Sequence, residues 1–149
     1  MADYDLTQAE VDALLALQKF CLDQRPWPYP PLGIGQTIEL FSQDRREVFL
    51  LDLERGRVNL AKGKYQTRGR QIIILARLCF GGPPHRNPDG EEIPRPHLHV
   101  YREGYGDKWA IPVPPQRFSN QTDLRQLLTD FMGYCNIVQP PNFRMELLQ

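Results

Sequence analysis

The sequence offers only three histidines and three cysteines in 149 residues, no net charge and no long apolar run, and each shortage removes a class of protein. Cys21, Cys79 and Cys135 are far apart and odd in number, which excludes the paired framework of a small disulfide-stapled domain and predicts reduced, buried thiols. Eighteen basic residues balance eighteen acidic ones, so no overall field draws the chain to nucleic acid or an anionic membrane, although a local patch can still do so. No apolar stretch approaches the roughly 20 residues needed to cross a bilayer. The start, MADYDLTQ, is acidic rather than charged-then-apolar as a secretion signal would be. The expectation is therefore a cytoplasmic protein with no membrane partner. A Gly-x-Ser-x-Gly nucleophile elbow is also missing, which disfavours a hydrolytic triad.

What is present is a globular composition, 41% apolar and 24% charged. That is enough apolar side chain to offset chain entropy in one domain over residues 1–149. Thr7 and Glu10 form a Thr-x-x-Glu capping box, with Leu6 and Val11 placed as a hydrophobic staple. Val11, Leu14, Leu15 and Leu22 extend an apolar face, so a helix is expected over about 7 to 24, ended by Arg25-Pro26. Pro26 to Pro31 reads as a stiff extended connector that packs Trp27 and Tyr29 on the domain; a polyproline-type ligand segment is the alternative.

Segments 36–42 and 47–53 read as a hairpin, followed by a turn at Glu54 to Arg57 and a short strand with Val58 and Leu60. Gln71 to Phe80 is the most apolar strand and is expected at the centre of the sheet. A long loop, Gly81 to Pro96, contains Asn87-Pro88-Asp89-Gly90, which suits a type I turn. Strands are expected over 97–102 and 108–113, and a helix from about 120 to 133. The fold class is thus α+β, a mostly antiparallel sheet of about 5–6 strands flanked by an N-terminal and a C-terminal helix.

All three histidines fall between His85 and His99. Strand alternation puts His97, His99 and Tyr101 on one side and Leu98 and Val100 on the other, and the preceding loop can bring His85 and Arg86 over that row. Two imidazoles with ordinary pKa values near 6.5 suit general acid–base chemistry. Arg55 to Arg70 is a basic strip resembling a polyanion-binding surface. The pattern supports a small RNA-directed, endoribonuclease-like enzyme of toxin or defence type. In it His97 and His99 are base and acid, with His85, Arg86 and Tyr101 beside them, and Lys62, Lys64, Tyr65, Arg68 and Arg102 bind substrate.

Two other readings use the same residues. A divalent transition metal could be held by His85, His97, His99 and Glu103, or with Asp89; otherwise the chemistry needs no cofactor. Gly90 followed by His97-x-His99-x-x-x-Glu103 resembles the first cupin motif, with the glycine one residue too far away and no downstream histidine for the second motif. Alternatively Trp27, Tyr29, Tyr105 and Trp109 form a surface for a protein partner such as an inhibitor. Taken together, Arg55 to Val58, Lys64 to Arg68, the HRNPDG motif in Gly82 to Gly90, the PHLHVYREGY motif in Pro96 to Tyr105, and Lys108 to Ala110 resemble a family of short single-domain bacterial proteins. That resemblance implies one domain and a bacterial or phage source, and it brings no established activity with it.

Overall fold

Thr7 caps the first helix through the reciprocal bonds that its spacing to Glu10 predicts, its side chain accepting from the Glu10 amide while Glu10 reaches back to the Thr7 amide. This computed structural model describes residues 5–28, 35–56 and 62–144. Its elements are α1 (Gln8–Ala16), β1 (Lys19–Phe20), β2 (Trp27–Pro28), β3 (Gly35–Ser42), β4 (Val48–Arg55), β5 (Gly63–Gly69) and β6 (Ile73–Phe80). They continue as β7 (His85–Arg86), β8 (Glu92–Ile93), β9 (His97–Val100), β10 (Ala110–Pro112), α2 (Leu124–Tyr134), β11 (Ile137–Gln139) and β12 (Phe143–Arg144). Tyr29 and the expected short strand with Val58 and Leu60 lie outside the described residues, as does Arg57.

The fold is α+β and its large sheet is mostly antiparallel, but that sheet has eight strands rather than five or six, in the order β10-β9-β6-β5-β4-β3-β1-β11. The difference arises at the ends of the chain. The first helix stops at Ala16 instead of running to about residue 24, because Lys19 and Phe20 leave it to pair with β3 and, in parallel, with β11. Leu22, read as part of the helix face, is accordingly 44% exposed. Lys19 is fully buried, and its ammonium donates to the carbonyls of Leu15, Leu17 and Cys135 at 2.8, 2.9 and 2.8 Å while lying over the Phe49 ring. One side chain thereby satisfies carbonyls left open at the ends of both helices.

The sheet has one apolar face and one polar face, since cross-strand partners share a side. Leu53, Tyr65, Leu78 and Leu98 form a row of successive partners on the apolar face. Helix α2 covers it, with the Phe131 ring 6.2 Å from Tyr65. α2 begins at Leu124, later than its apolar spacing alone predicts, because Asp123 caps it by accepting from Arg125 and Gln126. The opposite face carries two polar rows, Glu54-Lys64-Cys79-His97 and Asp52-Gln66-Arg77-His99. β6 is an interior strand, flanked by β9 and β5, but it is third of eight and not at the centre of the sheet, and Ile72 just before it is 57% exposed.

The stretch 81–96 is not a plain loop. It folds as a two-stranded ribbon of β7 and β8, closed by a turn in which the Gly90 amide donates to Asn87 O at 2.8 Å. Gly90 sits at φ +90°, where a side chain would be strained. Asn87 fastens this ribbon to the sheet edge: its Nδ2 donates to Ala110 O and its Oδ1 accepts from Ala110 N, at 2.9 and 2.8 Å.

Candidate metal centre

The ribbon brings His85 over the polar face of β9. Its ring centroid is 4.5 Å from His99 and 5.8 Å from His97, and those two rings are 4.9 Å apart. The three histidines therefore meet, as the alternation of β9 and the reach of the loop predict. A further residue joins them. Cys79 is the cross-strand partner of His97, and the ligand atoms of Cys79, His97 and His99 all lie within 4.8 Å of one another. The trio is buried, at 5%, 1% and 2% exposure respectively.

Hydrogen bonds fix two of the ring tautomers. His99 Nδ1 lies 2.8 Å from Asp107 O and His85 Nε2 lies 2.8 Å from Lys108 O. A carbonyl can only accept, so each of those nitrogens carries the proton, leaving His99 Nε2 and His85 Nδ1 with lone pairs. Such a carbonyl behind the ring is the usual support of a metal-ligating imidazole.

The electrostatics keep the pair uncharged. Burial, then the Arg95 charge and His85, push His97 down to about 4, with nearby carbonyls of Ile93 and Pro94 opposing weakly. For His99 burial and then the Arg77 charge bring the value down to about 4, against the bond to Asp107 O and with small contributions from His97 and His85. Neutral imidazoles are the form that binds a metal.

Other residues expected at the site stand elsewhere. Tyr101 lies past the end of β9 in the apolar core, its hydroxyl donating to Leu6 O and accepting from Leu6 N at 2.7 and 3.1 Å, so the row holds two imidazoles without the phenol. Tyr65 is buried between Phe80 and Phe131. Glu103 accepts from the Gln8 amide at 2.7 Å instead of facing the histidines, which removes the fourth member of the expected ligand set. Arg86 pairs with Glu92 at the surface, and Arg102 stacks over Trp109 with 4.1 Å to the ring centroid.

In the basic strip Arg68 is paired with Asp52, Arg70 with Glu47 and Lys64 with Glu54. Lys62 is exposed at its edge. Of the surface aromatics, Trp27 packs on the core with its indole N–H donating to Asp23 O, whereas Tyr105 stands exposed beside Trp109.

Cys79 is the member that strand reading misses, since an apolar strand makes it look like one more small core residue. Its parity with Arg77 on β6 was the available signal; the register that sets it opposite His97 was not.

Residues 6–137 match the model of a family described as "Family of unknown function (DUF6978)". The chain belongs to that family. The DUF6978 region runs from the start of the N-terminal helix to β11 and contains Cys79, His85, His97 and His99. No curated protein and no solved structure matches the chain.

Proposed function

We propose that this DUF6978 protein binds one transition metal ion through Cys79, His97 and His99, with His85 beside the centre. The observation that carries the reading is a buried thiol and two buried imidazoles whose ligand atoms lie within 4.8 Å of one another. Strand pairing alone would bring Cys79 near His97. It does not account for a thiol and two imidazoles converging in the interior with a third imidazole beside them.

One thiolate and two imidazoles suit a borderline-soft ion, and Zn(II) is the first candidate, with copper next. Three protein ligands leave a coordination position for a further group, the pattern of reactive rather than closed structural sites. An RNA-directed reading gains less from this geometry. An acid–base pair for a polymer has to reach the phosphodiester, and these two rings lie beneath the surface and are held neutral.

The test is elemental analysis of protein purified without chelator, followed by titration with Zn(II), Co(II) and copper. The expected result is one ion per chain, with thiolate-to-Co(II) charge-transfer absorption that disappears in Cys79→Ser. His97→Ala and His99→Ala should each weaken uptake by about a hundredfold or more with native circular dichroism. Failure to take up any of the three ions in stoichiometric amount would end the proposal.

A further inference from the structure

The polar row that ends at His97 opens, on the side of Lys64 and Glu54, into a cavity of about 250 Å³ lined by Glu54, Arg55, Lys62, Lys64, Cys79 and Arg95. Cys79 belongs to both the cavity wall and the metal trio. Lys62 and Arg95 bring cations to this wall, and Glu54, its one carboxylate among the described residues, is already paired with Lys64 at 3.5 Å. The cavity is therefore cationic.

Its shape is maintained by Gly82 and Arg95. Gly82 sits at φ +89°, and a Cβ there would stand 3.3 Å from Lys62 Cε and 3.5 Å from Arg95 Nη1, so the glycine lets two cationic chains share one wall. Arg95 is anchored by Nη1, which donates to Gly81 O at 2.6 Å and to Phe80 O at 3.4 Å. Its Nε is buried and has no hydrogen-bond partner among the described residues. A fixed guanidinium with an unused buried donor is suited to an anionic oxygen.

We infer that this cavity binds a small anion of the phosphate class beside the metal centre, with Lys62 and Arg95 as its main contacts. Phosphate is favoured over carboxylate because a phosphate monoester carries close to two negative charges near neutral pH, which better matches the excess of cations. The volume is below the range usual for drug-sized ligands and fits a small head group. A nucleic-acid backbone fits less well, since the cations that would continue a track, Arg68 and Arg70, are paired with Asp52 and Glu47. The inference rests on the metal reading only in placing the anion next to a bound ion; the pocket itself rests on its lining.

Calorimetric titration of inorganic phosphate into the full chain, metal-free and after stoichiometric Zn(II) loading, tests it at low ionic strength. Saturable binding of one phosphate per chain is expected in both forms, about tenfold tighter with Zn(II), and weakened about tenfold in Lys62→Glu and in Arg95→Gln. Lys62→Glu, whose side chain is exposed, should still take up one Zn(II) per chain. Phosphate binding that is absent, or unaltered in Lys62→Glu, would overturn the assignment. So would acetate binding as tightly as phosphate, or a single-stranded RNA binding more tightly through Lys62. Lys62-dependent phosphate binding without metal uptake would keep the pocket and remove the metal centre, whereas metal uptake without phosphate binding would do the reverse.

Discussion

The main-chain oxygen of Asp107 accepts the Nδ1 proton of His99 at 2.8 Å, and so fixes which nitrogen of that ring can face a metal. The Asp107 carboxylate is in turn bound to Arg77 at 2.5 Å, and Arg77 is the cross-strand partner of His99. One residue thus orients the imidazole through its backbone and neutralises the nearest cation through its side chain. Asp107→Asn keeps the carbonyl and frees the Arg77 charge beside the ring. Zn(II) affinity, read by competition with a chromophoric chelator, should fall about tenfold. Equal affinity in variant and parent would show that the Asp107 carboxylate has no part in tuning the site.

Without metal, the histidines make the protein sensitive to mild acid. His97 and His99 are brought from the ordinary 6.5 down to about 4 when folded, by burial first and then by Arg95 and Arg77 respectively. Between those two values the unfolded chain binds more protons than the folded one, so stability is lost as pH falls through the window and is insensitive to these groups above it. Each ring accounts for about 3 kcal/mol at the acid end. Urea unfolding of metal-free protein at several pH values should show the midpoint falling, and falling less in His99→Gln. A midpoint that stays level from about pH 7 to about pH 4.5 would contradict the buried, neutral state of the pair.

Asp52 should matter for folding and not for the metal. Burial alone would raise its carboxyl, but bonds from Arg68, Thr37 and Gln66 outweigh that and hold it below the usual range. Arg68 donates to it twice, at 2.6 and 2.9 Å, and Thr37 and Gln66 add bonds at 2.7 and 2.8 Å. Asp52→Ala strands a half-buried guanidinium and should cost about 3 kcal/mol in a urea titration. Metal uptake at saturation should be that of the parent, and a loss of stoichiometry would mean the two polar rows are coupled.

Tyr101→Phe separates packing from chemistry. Among the described residues the hydroxyl bonds to the Leu6 backbone, so its removal should lower stability by about 1 kcal/mol. Zn(II) and phosphate affinities should not move. A changed metal affinity would put the phenol back beside the histidines.

Local signals carried the elements whose cause is local. The Thr7-x-x-Glu10 box, the Asn87 to Gly90 turn and the alternation of His97, Leu98 and His99 all follow from residue type and spacing. The rest depended on partners far along the chain. Lys19 and Phe20 carry no strand signal of their own, and they form a strand because β3 and β11 flank them. Tyr101 keeps its place in sequence after His99, yet β9 ends at Val100 and the phenol finds Leu6 instead. Arg68 looks like a free cation until Asp52 is seen two strand positions away. Cys79 needed the β6–β9 register, which is set by the folded ribbon between them.

The pairing of β1 with β11 also orders events during synthesis. The Cys135 oxygen that Lys19 requires is 116 residues downstream of it, so the ammonium cannot be fully satisfied until Cys135 has left the ribosome. A nascent chain ending inside α2 would carry the histidine half of the sheet with its opposite margin still unsealed. Once β11 is made it pairs with β1, and the margin open to strand addition moves from β1 to the three residues of β11.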